Sequence, residues 1–407
     1  MSAKFIQIHT LTPFAATLLN RDDAGFAKRL PFGGVTRTRV SSQCLKRHWR
    51  TFDGDHSLSD LDVPATIRSR RTFEQHVVQP LVQDGLPADA VRAVTAAVMG
   101  LVLGESAKAK EKKSKQEDEK KAGPELHTNQ VTVLGHPEIA FLKDLVATLA
   151  KDLDGSGDKL QKEATKRVNG ALDKGAKKNL QGLALAGGLG AALFGRMVTS
   201  DILARADAAI HVAHAFTVHE QESEDDYFSA IDDLVQEAGE QGSGHINSNE
   251  LTSGLFYGYV VVDLPLLVSN LTGCHRKQWL QEDRALAGDI VERLIGLIST
   301  VSPGAKLGST APYSRAELVM VEAGRAQPRT LANAFLQPVS AAGNIVAQTY
   351  GQMAGYVADI DTMYPWQGGR CFAAVGPAEK LAWAAERKST LDEVKAWARR
   401  QVVDGDA

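Results

Sequence analysis

Cysteine is scarce in this chain. Its three cysteines, Cys44, Cys274 and Cys371, lie far apart, and no CxxC pair occurs among the 407 residues. That spacing argues against a disulfide scaffold and against a cysteine-ligated zinc site, and it fits a reducing compartment such as the cytoplasm. An excess of charge of one sign is also lacking: 46 Lys and Arg stand against 49 Asp and Glu, a net charge of −3. An all-over basic coat for nucleic acid is therefore not expected, whereas a local basic stripe is still open. Long apolar runs are missing too. The stretch Gly182 to Gly195 is too short and too rich in glycine to span a bilayer, and the opening MSAKFIQIHT has no apolar signal core because Gln7 and His9 interrupt it. No membrane partner is expected. What is present, 43% apolar and 23% charged residues, belongs to a soluble globular protein of roughly two or three domains, or one domain with large insertions.

Several catalytic and cofactor signatures fail when tested. Gly304 to Thr310 lacks the GK[ST] ending of a phosphate loop, because Leu307 follows Lys306. Gly188-Leu189-Gly190 is followed by Leu193 where a dinucleotide fingerprint needs glycine, and neither HExxH nor GxSxG occurs. His211, His214 and His219 share a strand-like run, but 214 points away from the other two, so they read as strand histidines and not as metal ligands. Asp22-Asp23 and Asp225-Asp226 are adjacent acids of the kind that hold Mg²⁺ for phosphodiester cleavage. Adjacent acids in loops are more often turn formers and helix caps. No cofactor and no metal is expected.

Along the chain, strands and helices alternate. Phe5 to Leu11, Val35 to Val40, Ala209 to Val218, Leu255 to Asp263 and Leu318 to Val321 read as strands. Helices are predicted over Ile67 to Val82, Ala88 to Leu103, Ile139 to Leu153 and, as one long element, Arg276 to Val301. A capping box, Thr390 with Glu393, starts a last helix. The span between Leu11 and Gly34 and the segment Pro303 to Tyr313 read as loops. Asp154 to Lys178 reads as an exposed linker and Glu220 to Asn249 as a projecting segment. Ser106 to Pro124, mixed Lys and Glu without branched or aromatic residues, reads as a solvated insertion. This order suits a ferredoxin-like α+β core.

The densest chemistry lies between Asn20 and Arg50. Arg21, Lys28, Arg29, Arg37, Arg39, Lys46, Arg47 and Arg50 are cationic there, against only Asp22 and Asp23. Arg37 and Arg39, two apart in a strand, share a face. Ser41 or Ser42 caps the helix that follows, and its N-terminus carries free N–H groups and partial positive charge. Gln43, Lys46, Arg47 and Arg50 fall within about one-third of the helical wheel, opposite Leu45, Trp49 and Phe52. With about 5.4 Å per turn, such a stripe matches successive phosphates of an extended strand and positions them without reading sequence. A solvated basic face is the plainer alternative.

The stretch FIQIHTL...LNRDDAG...GGVTRTRVSSQCLKRHWR resembles the N-terminal signature of the CasC family, the backbone subunits of the type I-E CRISPR Cascade complex. Further resemblances follow in order: FGRMVTSD, DAAIHVAHAFTVH, YFSAIDDL, LTSGLFYGYVVVDL, VSPGAKLGSTAPY and LANAF, reaching residue 335. The resemblance implies an RRM-like (ferredoxin-like) palm, a helical fingers insertion and a thumb. Palm is then expected over residues 1–55, 191–220 and 255–407, fingers over 56–190 and thumb over 221–254. It implies a non-enzymatic subunit that polymerises into a helical filament along the spacer of a CRISPR RNA, protecting and kinking it for pairing with target DNA in antiviral defence. The implied partners are CRISPR RNA, further copies of the chain, the large, small, RNA-processing and RNA-end-capping Cascade subunits, and target DNA through the guide.

By residue, the resemblance places Arg21 and Lys28 on the RNA-contacting loop and Ser41, Gln43, Lys46, Arg47 and Arg50 on the RNA-binding helix. It makes Met197 a wedge against a base, where a core methionine is the alternative, and Lys306 a phosphate contact. After PGAK this chain has Leu307-Gly308-Ser309, where the family often carries a further basic residue. A competing expectation is a metal-dependent endoribonuclease of the type III backbone-subunit kind, using Asp22 or Asp23.

Overall fold

The computed structural model describes residues 2–103, 126–172, 174–181, 183, 185–196, 203, 206–231, 243–305, 307–376, 381 and 388–405. The chain forms two units. One comprises Met1–Leu61, Ile210–Leu264 and Asp283–Ala407, the other Asp62–Ala209 and Pro265–Glu282.

The first unit is built on a mixed α/β plan around an antiparallel sheet. Its strands are β1 (Phe5–Thr17), β2 (Arg29–Phe32), β3 (Val35–Val40) and, after β4 (Thr66–Ser69) and β5 (Thr132–Gly135) of the second unit, β6 (Ile210–Val212), β7 (Ala215–Thr217), β8 (Glu222–Ile231), β9 (Ser243–Asp263), β10 (Leu318–Gly324) and β11 (Gly369–Ala374). The order is β11-β10-β1-β9-β7-β3-β2, with β6 and β8 also on β9. β1 is central. It pairs with β10 from Phe5↔Gly324 to Leu11↔Leu318 and with β9 from Phe5↔Asp263 onward. β9 outruns β1, and its first half pairs instead with β8, from Glu222↔Ser253 to Ile231↔Ser243, making a two-stranded arm.

Alternation along these strands feeds two cores. Leu11, Leu255 and Tyr257 pack with Phe335, Tyr350, Met353 and Phe372 on one face, which the helix Ile345–Met363 covers. Phe14 and Phe256, of opposite parity, pack with Val40 and Ala215 on the other face, against Cys44 and Leu45 of the first helix. β10 is buried along its whole length. Its Glu322, a fully buried carboxylate, accepts from Arg370 and Gln7. Burial alone would raise its pKa, but hydrogen bonding and charge from His9 and Arg370 hold it below the usual range. A two-residue turn joins β2 to β3. Gly33 and Gly34 both have positive φ (64° and 83°), as a hairpin matching the twist of its strands requires. A Cβ on Gly33 would stand 1.7 Å from the carbonyl oxygen of Leu336.

Among the described residues, the second unit is helical apart from the β4–β5 pair and a bridge between Arg196 and Ala206. The helices Ala88–Leu103, His136–Ala150 and Gly157–Ala171 enclose Val94, Val98, Leu142, Val146, Leu160, Ala164 and Val168. Each large aliphatic side chain so buried contributes about 1.5–3 kcal/mol. A buried fork from Arg196 to Glu138 adds a polar tie, with Arg196 Nη2 2.8 Å from Oε1.

Five sequence expectations change. The span after Leu11 is loop only over residues 18–28, because β9 and β3 supply partners that extend β1 to Thr17 and form β2. Ile67–Val82 is not one helix: residues 66–69 pair with β5, and a π turn at Glu74–Val78 precedes a short α-helix with Pro80 in its first turn. Asp154–Lys178 is no linker. Leu160, Ala164 and Val168, four apart, form a stripe that docks a 15-residue helix despite its polar composition. Arg276–Val301 is interrupted: a 3₁₀ turn (Arg276–Gln281) ends, the Asp283 carboxylate accepts the N–H of Ala285, and the α-helix Ala285–Thr300 begins there. Ala209–Val218 splits into β6 and β7 around Ala213-His214. The insertion Ser106–Pro124 lies outside the described residues. The capping box of Thr390 and Glu393 is formed, with mutual bonds of 2.7 and 3.2 Å.

Candidate nucleic-acid interface

The site is assembled from three pieces of the first unit: the loop leaving β1, the β2–β3 hairpin and the helix Ser42–Thr51. The loop folds on itself. Asp22 Oδ1 accepts the N–H groups of Ala24 and Phe26, both at 3.0 Å, while the Asp22 N–H donates to the Phe26 carbonyl at 2.7 Å. Arg21 and Ala27 form a bridge, and the Lys28 N–H donates to Asn20 O at 2.9 Å. Asp22 is thus occupied as a turn former, the role short acids adopt in tight loops.

Asn20 couples this loop to the helix, its Oδ1 accepting the Ser41 N–H at 2.9 Å. Ser41, not Ser42, is the N-cap: it is buried and its Oγ accepts the Cys44 N–H at 3.3 Å. Trp49 buries the opposite face. Gln43 and Arg47 are exposed, while Lys46 and Arg50 are half-buried. The helix also anchors the segment that leads to Lys306. His48 Nδ1 donates to Cys44 O at 2.8 Å, and its Nε2 accepts the Gly304 N–H at 3.4 Å. Ala305 N–H donates to Leu18 O at 2.9 Å. Lys306 itself, like Met197, lies outside the described residues.

The hairpin divides its two arginines. Arg37 is fully buried and donates to the carbonyls of Phe32, Thr217 and Phe335 at 3.2, 3.1 and 2.9 Å. Burial draws its pKa down, opposed by Glu220. It is a structural cation, so the expectation that Arg37 and Arg39 present one positive face does not hold: the segment at Phe335 covers that face at 37. Arg39 is half-buried, with Nε donating to Arg29 O at 3.0 Å and Nη1 lying 2.9 Å from His214 Nδ1. Arg29 pairs with Glu250, whose carboxylate also takes the Ala27 N–H at 2.6 Å. Its charge is therefore compensated.

Electrostatics shows which cations converge. His214 titrates below the ordinary histidine range, through burial and then through Arg39, Lys28 and Lys46 in that order. Cys44 is pushed up by burial, against which Lys28 and Arg47 act. Lys28, Arg39, Lys46 and Arg47, drawn from all three pieces, thus share one neighbourhood. Beside them opens a cleft of about 380 Å³ lined by Asp22, Phe26, Ala27, Lys28, Arg29 and Arg39. Such a surface can hold an anionic chain through phosphates and offer it one aromatic ring.

Sequence reasoning missed Asn20, Phe26, His48 and His214. Only His214 left a trace, as a polar break in the run Ala209–Val218. Of the other two histidines, His219 is buried, with Nδ1 bonded to Glu220 O at 2.6 Å, and His211 is exposed on β6. Among the described residues no cluster of three or more His, Cys, Asp or Glu could hold a metal ion, and no helix is long and apolar enough to cross a membrane.

The family profile described as CT1975-like protein, a Cas family, matches residues 6–397. The chain belongs to this CT1975-like family. Its fold is also that of two solved chains. One, from a CRISPR RNA-guided surveillance complex described as pre-nicking, is 26% identical with a TM-score of 0.75, over 98% of this chain and 100% of that one. Another, from a CRISPR RNA-guided surveillance complex, is 22% identical with a TM-score of 0.65, over 97% and 99%. No curated protein matches. The family assignment spans both units of the fold, so the CT1975-like architecture includes the helical unit as well as the sheet.

Proposed function

We propose that this CT1975-like protein is the guide-RNA-binding backbone subunit of a type I-E CRISPR surveillance complex, a CasC-type scaffold without catalytic activity. The sheet unit acts as an RRM-like palm, the helical unit as fingers and the β8–β9 arm as thumb. Copies stack head to tail along the spacer in the cytoplasm, and the other Cascade subunits complete the particle. The observation that carries this reading is the cleft onto which Lys28 and Arg39 open, beside the capped helix that bears Lys46 and Arg47, with Lys28, Arg39 and Lys46 acting on His214 and Lys28 and Arg47 on Cys44. Four cations from three chain segments suit a ribose-phosphate chain, whose charges repeat along its length. The contacts are to phosphate, so register is held and sequence is not read. A heterologous, non-closing interface between copies makes a filament, and neighbouring copies raise avidity over the modest affinity of one subunit.

The test is co-purification. The chain expressed with its guide RNA should elute with a 260/280 nm absorbance ratio typical of ribonucleoprotein. A Lys46→Ala and Arg50→Ala double variant should lose that RNA while keeping its circular dichroism. In titrations the wild type should weaken steeply as salt rises, and the double variant should show a shallower slope. RNA retained by the double variant at unchanged salt sensitivity would defeat the reading.

A further inference from the structure

Phe26 is the residue in this site that phosphate binding does not explain. It is 48% exposed, the one phenylalanine among the ten large apolar side chains left in solvent among the described residues. Its backbone is pinned twice by Asp22, through its N–H to Oδ1 at 3.0 Å and through its carbonyl to the Asp22 N–H at 2.7 Å. It lines the same cleft as Lys28 and Arg39. An aromatic ring on a tethered loop, exposed beside cations, is the arrangement by which single-stranded nucleic acid is held without base-specific hydrogen bonds: backbone to the cations, one base on the ring.

We infer that Phe26 is a stacking platform for one nucleobase of the bound strand, set beside the cations Lys28 and Arg39. The inference rests on the RNA-binding reading above and adds to it a base contact. The cleft itself orients the strand. Its uncompensated cations, Lys28 and Arg39, draw a phosphate, and the Asp22 carboxylate repels one. The uncharged base is then the group that meets the ring. Every base has a π face, so the contact is indifferent to sequence, as a subunit carrying arbitrary guides requires. Because the loop is closed by Arg21–Ala27 bridging and by Asp22, the backbone that carries the ring is held in place and little of it needs ordering on binding.

The test measures binding of the full-length chain to fluorescently labelled single-stranded RNA of mixed sequence and to an abasic strand of the same length, over a range of salt. Phe26→Ala should bind the intact RNA about tenfold more weakly than wild type, with the salt slope unchanged, because no phosphate contact is removed. On the abasic strand the two proteins should bind alike. Phe26→Trp should restore affinity, and its added indole fluorescence should be quenched by intact RNA. Lys28→Ala with Arg39→Ala should instead flatten the salt slope on both strands. Equal affinity of wild type and Phe26→Ala for intact RNA, or an equal loss on the abasic strand, would overturn the stacking role and leave the phosphate site standing. Failure of the wild type to bind either strand would overturn the RNA-binding reading itself.

Discussion

Arg39 and His214, 175 residues apart in sequence, meet with Nη1 2.9 Å from Nδ1. The guanidinium is always a donor, so the imidazole accepts at Nδ1 and carries its proton on Nε2. The ring is thereby held neutral at neutral pH, in keeping with its lowered pKa.

This has a measurable consequence for binding. Burial and the cations lower the His214 pKa, and a phosphate placed among those cations offsets them and raises it again. Binding of an anionic strand therefore takes up a proton. RNA affinity should increase as pH falls from about 6.5 toward 5.5, the window below the ordinary histidine value, and His214→Gln should flatten that rise. In the free protein the sign is opposite. A depressed histidine pKa means the unfolded chain binds the proton first, so His214 contributes a loss of stability as pH falls below the ordinary value. Affinity that is independent of pH in the wild type would refute the coupling.

Arg37 should prove structural. Arg37→Ala strips the donor from three carbonyls, each costing about 1–3 kcal/mol when left unpaired and less where water enters. A loss of about 3 kcal/mol in a denaturant midpoint experiment is expected, with RNA salt dependence unaltered in the folded fraction. A change in salt slope without a change in stability would place Arg37 in the interface instead.

Asp22 and Asp23 should be silent in chemistry. The assembled complex incubated with complementary RNA and Mg²⁺ should leave that RNA intact, and Asp23→Ala should change nothing. Asp22→Ala should loosen the loop and weaken RNA binding, because Oδ1 holds the N–H groups of Ala24 and Phe26. Cleavage at regular spacing that Asp23→Ala abolishes would establish the endoribonuclease instead.

Much of this site was readable in one dimension where the signal is local. The capped helix after Ser41, its cationic stripe and its buried Trp49 all follow from spacing at 100° per residue and from a short hydroxyl side chain at the right place. The Gly33-Gly34 turn is equally local. The misreadings share a cause. β4 exists because residues 132–135 arrive to pair with it, and β1 continues past Leu11 because β9 runs alongside. The helix Gly157–Ala171 forms because an apolar groove receives its narrow stripe. None of these partners is visible within a window of a dozen residues.

The sequence by itself determined the capped helix after Ser41, the family likeness and the inventory of cations between Asn20 and Arg50. Only the tertiary structure decided which of those cations meet solvent. Arg37 and Arg39 lie on one strand face, yet the segment at Phe335 covers the first, and the second emerges beside His214. Arg29 is compensated by Glu250, 221 residues away. Strand period assigns a side to each residue, but what covers that side is contributed by distant chain, and charge in proteins is settled by neighbours in space.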